Sequence, residues 1–365
     1  MIHFLRKLRY HGFGVSTKPD SFAIGDRRIG PGERTYIIAE AGSNHNGQLK
    51  IAKALVESSA EAEADAVKFQ TFVAERIVSE TSVTASSLIG HVRQGETVTD
   101  LFRRLELRPE WHAELRDLAR SHGLTFLSTP FDEASVDFLD GLGVPAYKIA
   151  SYDLTHLPLL EHVAAKGKPT ILSTGMGSLA EIEEAIAVFR RHEVPAAILH
   201  CPVGYPPPDD AVNLLAIDTL RHAFNVPVGF SDHTEGWTIP VAAVARGASI
   251  LEKHITLDRS LPGPDHHFAL EPKDLKGMVQ AIREIDVALG DGIIRLHPSQ
   301  MEFYEAGRRS LFAAKRIRRG EAITPDKIII IRPATGIPPK DFDKVVGRIA
   351  KRDIDARHPI TWDDV

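Results

Sequence analysis

The chain has 365 residues, 43% hydrophobic and 25% charged, so it can bury a large core and exceeds what one ordinary domain needs. Its 44 basic and 49 acidic residues leave a net charge of −5, which argues against a nucleic-acid binder but allows a local basic pocket for anionic substrates. Cys201 is the single cysteine, which excludes an intramolecular disulfide, and no run approaches the roughly 20 apolar residues of a membrane helix.

The opening stretch, MIHFLRKLRYHGFGV, is basic but has no apolar run long enough for a signal peptide, so a cytoplasmic protein is expected. Residues 1–33 read as an extension carrying a hairpin over 24–32 (IGDRRIGPG). From about 34 to 291 one unit recurs: a short apolar run, a turn, then a helix-period segment. The expected strands are 36–39, 66–69, 125–127, 146–149, 170–172, 197–199, 228–230 and 250–251. Helices are expected between them, for example over 49–62, 109–122, 133–142, 180–191 and 273–289. Nearly continuous apolar strands suit a parallel sheet buried on both faces. Eight β-then-α units point to an α/β fold, a (β/α)8 TIM barrel, which takes roughly 250 residues. A doubly wound open sheet is disfavoured, because no Gly-rich fingerprint follows the first strand. Residues 292–307 read as a linker, and 308–365 as a small β-rich domain with runs at 311–313, 327–331 and 358–360.

Polar residues gather at the C-terminal end of each expected strand. They are Glu40; Lys68 and Gln70; Ser128 and Thr129; Lys148 and Ser151; Ser173 and Thr174; His200, Cys201 and Tyr205; Ser231, Asp232 and His233; and Glu252, Lys253 and His254. In a barrel these ends converge on one mouth, where active sites lie. Two lysines and several hydroxyls suit a phosphate or carboxylate. His233 and His254, from neighbouring strands, could share a metal with positions left open for water and substrate, a catalytic pattern. Glu40 could serve as an acid or base or bind a substrate hydroxyl.

Plainer readings compete. A lone histidine at a strand end is more often a hydrogen-bonded core residue than a ligand. Lys68 and Lys148 lie in apolar runs (AVKFQ, AYKIA), where a solvated lysine is a poor reading and an unpartnered one is costly. Asp232 could simply orient His233 or cap a helix. Cys201 reads as a small core residue. Residues 44–47 (NHNG) read as a turn, with His45 structural, and His266–His267 as loop.

Several segments in fixed order resemble the sialic acid synthase family: IIAEAGSNHNG, DAVKFQTF, STPFD, VPAYKIAS, ILSTGMGSLAEIEEAI, GFSDHT, LEKHITLDR and PGPDHHFALEP. RRSLFAAKRIRRGEAIT and RPATGIPP resemble that family's C-terminal antifreeze-like (SAF) domain. The resemblance implies condensation of phosphoenolpyruvate with N-acetylmannosamine or a related N-acyl hexosamine, releasing phosphate. It implies a divalent metal, manganese first and magnesium or cobalt as alternatives, held by His233 and His254. By the same resemblance Lys68, Thr129, Lys148, Ser151, Ser173 and Ser231 contact phosphoenolpyruvate, and Glu40, Gln70, Tyr205 and Asp265 contact the sugar. Arg332 matches an arginine that the partner's small domain supplies, which implies a domain-swapped homodimer. Two departures bear on the sugar. The family usually has a polar residue where this chain has Val203, and some members carry Glu where this chain has Asp153. The segment GPDHHFALEP leans toward neuraminic or legionaminic over pseudaminic acid synthases. A phosphoenolpyruvate condensation with a phosphorylated sugar is the nearest rival; a Schiff-base aldolase using Lys148 and a carbohydrate-binding protein with a dead barrel are others.

Overall fold

A computed structural model describes residues 21–79, 84–85 and 95–365. The described chain divides into two compact units, with the boundary between Asp291 and Gly292. The first ten strands belong to the larger unit. Strands β1 (Phe22–Ile24) and β2 (Arg27–Ile29) pair as an antiparallel hairpin. The next eight are β3 (Tyr36–Gly42), β4 (Ala66–Thr71), β5 (Thr125–Pro130), β6 (Tyr147–Ile149), β7 (Thr170–Ser173), β8 (Ala196–His200), β9 (Val228–Asp232) and β10 (Ile250–His254). They form one parallel sheet in the order β5-β4-β3-β10-β9-β8-β7-β6, and β5 and β6 come together at the seam. The expected α/β barrel is thus observed, with a helix between most successive strands.

Side-chain alternation, with a period of two, sorts each strand into an inner and an outer row. The inner row at the N-terminal ends is apolar: Tyr36, Ile38, Ala66, Leu127, Ala146, Ile171, Ala197, Leu199 and Ile250 are buried and share one core with Phe22, Ile24 and Ile29 of the hairpin. The hairpin therefore stoppers the barrel floor. The outer row, including Ile37, Val67, Phe126, Ile149, Ile198 and Leu251, packs in a second core beneath the helices. Local signals place those helices. Ser178 and Glu181 form a capping box that starts the helix Leu179–Arg191, and Asp132 caps the helix Glu133–Leu142. A buried ion network locks the floor: Asp65 pairs with Arg27 at 2.6 Å and Arg283 at 2.7 Å, and accepts from the Ile37 amide at 2.8 Å.

The smaller unit contains the antiparallel pair β11 (Ser310–Ala313) and β12 (Ile328–Ile331). Its own core includes Leu311, Ile317, Ile323, Ile337, Val345, Ile354 and Ile360. Within the stretch expected as a linker, Met301–Gly307 is helical. Its sequence, MEFYEAG, holds good helix formers but exposes its apolar side chains, so no amphipathic pattern marked it. Among the described residues, no helix is long and apolar enough to cross a membrane.

Candidate active site

Above the apolar floor the inner row becomes polar. The C-terminal positions of this row are Glu40 on β3, Lys68 and Gln70 on β4, Thr129 on β5, Lys148 on β6, Ser173 on β7, Ser231 on β9, and Glu252 and His254 on β10. His233 follows β9, and Ser151, Tyr205 and Asp265 reach in from loops. Together they line a cavity of about 320 Å³. Its upper wall is apolar and aromatic, with Leu101, Phe102 and Leu105 of the helix Val98–Leu105, Phe131 and Tyr152.

Two buried lysines organise the floor of this cavity. The Lys68 ammonium lies 2.7 Å from Glu40 Oε2 and donates to Thr129 Oγ1 at 2.9 Å. The Lys148 ammonium donates to Ser173 Oγ at 2.7 Å and to the Ile149 carbonyl at 2.9 Å. Between them stands Glu252, 3.7 Å from Lys68 and 3.6 Å from Lys148, accepting from Ser231 Oγ at 3.0 Å. Burial raises Glu252, but Lys148 and Lys68 outweigh it and hold the carboxyl below its usual range. Glu40 has the opposite balance. Burial outweighs Lys68 and pushes it up to about 7. Gln70 donates to Glu40 Oε1 at 3.0 Å. Gly42 follows a bulge in β3 with φ +49°, and a Cβ there would sit 3.0 Å from Glu40 Oε1. Glycine therefore suits both the left-handed backbone and the Glu40–Gln70 contact.

Beside Glu40 and Glu252, at the ends of β9 and β10, the rings of His233 and His254 lie 5.2 Å apart. Phe268 packs edge-on against both, and Tyr205 against His233. His254 Nδ1 is buried with no hydrogen-bond partner, and Asp265 Oδ2 is 3.7 Å from it. Burial, then His233, hold His254 well below the usual histidine range, so its ring is neutral and carries a free lone pair. Burial pushes Asp265 up to about 6. This donor set suits a cation bound by two imidazoles, though no cluster of three or more His, Cys, Asp or Glu ligands occurs among the described residues.

Residues 55–294 match the NeuB family model and residues 308–365 match the SAF domain. The chain belongs to the NeuB family. It is 40% identical to the N,N'-diacetyllegionaminic acid synthase of Legionella pneumophila, over 90% of this chain and 94% of the relative. It is 36% identical to the pseudaminic acid synthase of Helicobacter pylori, over 90% and 97%. The crystal structure of an N-acetylneuraminic acid (sialic acid) synthetase from Leptospira borgpetersenii in complex with citrate superposes with a TM-score of 0.72 at 35% identity, covering 79% of this chain and 96% of that one. A truncated 3-deoxy-D-arabino-heptulosonate 7-phosphate synthase from Thermotoga maritima shares the fold, with a TM-score of 0.60 at 14% identity over 75% and 95%.

In this NeuB-family chain, most residues singled out from the sequence come together. Glu40, Lys68, Gln70, Thr129, Lys148, Ser151, Ser173, Tyr205, Ser231, His233, His254 and Asp265 all line the cavity. Asp153 does not. The short turn Ser151–Asp153 sends Tyr152 into the cavity, and Asp153 lies to one side, where burial raises it to about 6. Arg332 is exposed at the end of β12, in the smaller unit. Cys201 is buried and faces the cavity. Ser128, Asp232 and Lys253 belong to the outer row; Ser128 lies 2.6 Å from Thr71. Glu252 stands among the strand-end residues of the sequence but receives no role there, although alternation from His254 places it inward.

Proposed function

We propose that the protein condenses phosphoenolpyruvate with an N-acyl hexosamine, giving a nonulosonic acid and phosphate. The observation that carries this reading is the buried Lys68–Glu252–Lys148 arrangement, ringed by the hydroxyls of Thr129, Ser173 and Ser231. Two fixed ammonium groups with convergent hydroxyls suit a small substrate bearing both a carboxylate and a phosphate. Ser151 adds a further hydroxyl, already held by the Gly175 amide at 2.9 Å. The named activities of the relatives support the same class of reaction.

In this reading the sugar enters as its open-chain aldehyde, held by Gln70, Tyr205 and Asp265 beneath the aromatic wall. Carbon 3 of phosphoenolpyruvate forms a bond to the aldehyde carbon, and the aldehyde oxygen takes up a proton. Carbon 2 takes up water, the C–O bond to phosphate breaks, and phosphate leaves. Glu40, with its raised pKa, is positioned to move a proton during these steps. His233 and His254 would hold a divalent metal, manganese first, which supplies Lewis-acid polarisation of the aldehyde when bound. N-acetylmannosamine and a diacetamido trideoxy hexose are both acceptors of this class. The latter gains support from the legionaminic acid synthase relatives and from the apolar wall of Leu101, Phe102, Leu105 and Phe131.

A homodimer completes the reading, with Arg332 offered to the partner's cavity. The single cysteine suits a cytoplasmic setting. The deciding experiment measures phosphate release from phosphoenolpyruvate with a panel of hexosamines. Release should require an unphosphorylated N-acyl hexosamine and should stop with EDTA. Release only with a phosphorylated sugar, or full activity in EDTA, defeats the reading.

A further inference from the structure

Directly behind the two imidazoles lies a charged pair that the reaction itself does not use. Lys253 and Asp232 sit on the outer rows of β10 and β9, each one residue before a histidine that faces the cavity. Their side chains are both 0% exposed, and Lys253 Nζ lies 2.5 Å from Asp232 Oδ2. The same ammonium donates to the Thr234 carbonyl. Asp232 Oδ1 accepts from the Thr234 amide at 3.1 Å and from its hydroxyl at 2.9 Å. Asp232 and Thr234 are the two neighbours of His233, so the backbone on both sides of His233 is clamped, and the clamp is anchored on the residue before His254.

Stability is a poor explanation for this pair. Removing two charges from water costs much of what their attraction returns, and apolar replacements of buried pairs are often neutral or stabilising. An ion pair does offer direction, because it fixes the register of two strand ends and the orientation of the turn between them. Outer contacts of this kind set the geometry of metal-binding imidazoles.

We propose that Lys253 and Asp232 are positioning residues that set the separation and orientation of the His233 and His254 rings for a shared divalent cation. This rests on the reading of those histidines as a metal pair. The test is the double substitution Asp232→Asn with Lys253→Met, which leaves net charge unchanged and keeps a side-chain oxygen in place to accept from the Thr234 amide. Manganese binding is measured by calorimetry on the full-length protein, and thermal unfolding is followed in parallel. The double variant should bind manganese roughly 10- to 100-fold more weakly while its Tm stays at or above that of the wild type. Wild-type manganese affinity in the double variant overturns the proposal, as does a fall in Tm that accompanies the loss of affinity. A milder variant, Thr234→Val, removes only the hydroxyl from the clamp and should weaken binding severalfold; unchanged affinity there also overturns it. If the wild-type protein binds no divalent metal, the metal reading itself fails, which is a separate result.

Discussion

The carboxylate of Glu252 stands 3.6 Å from the Lys148 ammonium, close enough to govern its charge. Burial pulls Lys148 below the ordinary lysine range, and Glu252 is the main influence opposing it. Glu252→Gln should therefore lower the Lys148 pKa further. Anion binding needs the ammonium form, which is lost as pH rises, so the alkaline limb of kcat/KM for phosphoenolpyruvate should move to lower pH. Superimposable alkaline limbs for variant and wild type would remove Glu252 from this role.

Lys148→Ala should raise KM for phosphoenolpyruvate far more than KM for the sugar. Losing a charged hydrogen bond costs about 1.5–3 kcal/mol, roughly 10- to 150-fold in affinity. Steady-state kinetics with each substrate varied in turn decide the matter. Equal effects on both constants would make Lys148 a structural residue.

Arg332→Ala and His254→Ala should each be nearly inactive, yet regain activity when mixed and allowed to exchange subunits. In a mixed dimer one cavity would have intact His254 and receive intact Arg332 from its partner, while the other lacks both. Recovery should approach half that of a normal dimer for this species. If Arg332 serves its own chain, every cavity carries one defect and the mixture stays inactive.

Asp65→Ala should destabilise the larger unit by about 1–3 kcal/mol, because it removes the buried carboxylate shared by Arg27, which is partly exposed, and Arg283, which keeps Asp286. Urea unfolding followed by circular dichroism measures this. A loss within experimental error would mean that the hairpin is held by Phe22, Ile24 and Ile29 alone.

The barrel was legible because each strand buries both faces and is bounded by turn residues, so its position could be read from apolar runs alone. The cavity was legible because polar residues recur at one end of those runs. What the runs do not state is which side of the sheet each residue faces. LEKHI contains two charged residues in succession, and only the inward one, Glu252, belongs to the cavity, while Lys253 lies behind it. Counting back by two from His254 separates them. The same step from His233 selects Ser231 and sets Asp232 aside. The upper wall was harder to read: Leu101, Phe102 and Leu105 lie on a helix within an insertion after β4, outside the repeating unit. Nor could the sequence assign Tyr152 over Asp153, since a short turn obeys neither strand nor helix periodicity.

The stoppered floor imposes a traffic rule on the cavity. With Phe22, Ile24 and Ile29 packed under the inner row, the barrel is closed beneath the lysines among the described residues. On the proposed reading, a sugar held by Tyr205, Asp265 and the aromatic wall would cover an anion docked on Lys68 and Lys148. On that reading the deeper reactant should bind first, and phosphate freed at the lysines should leave past the sugar site.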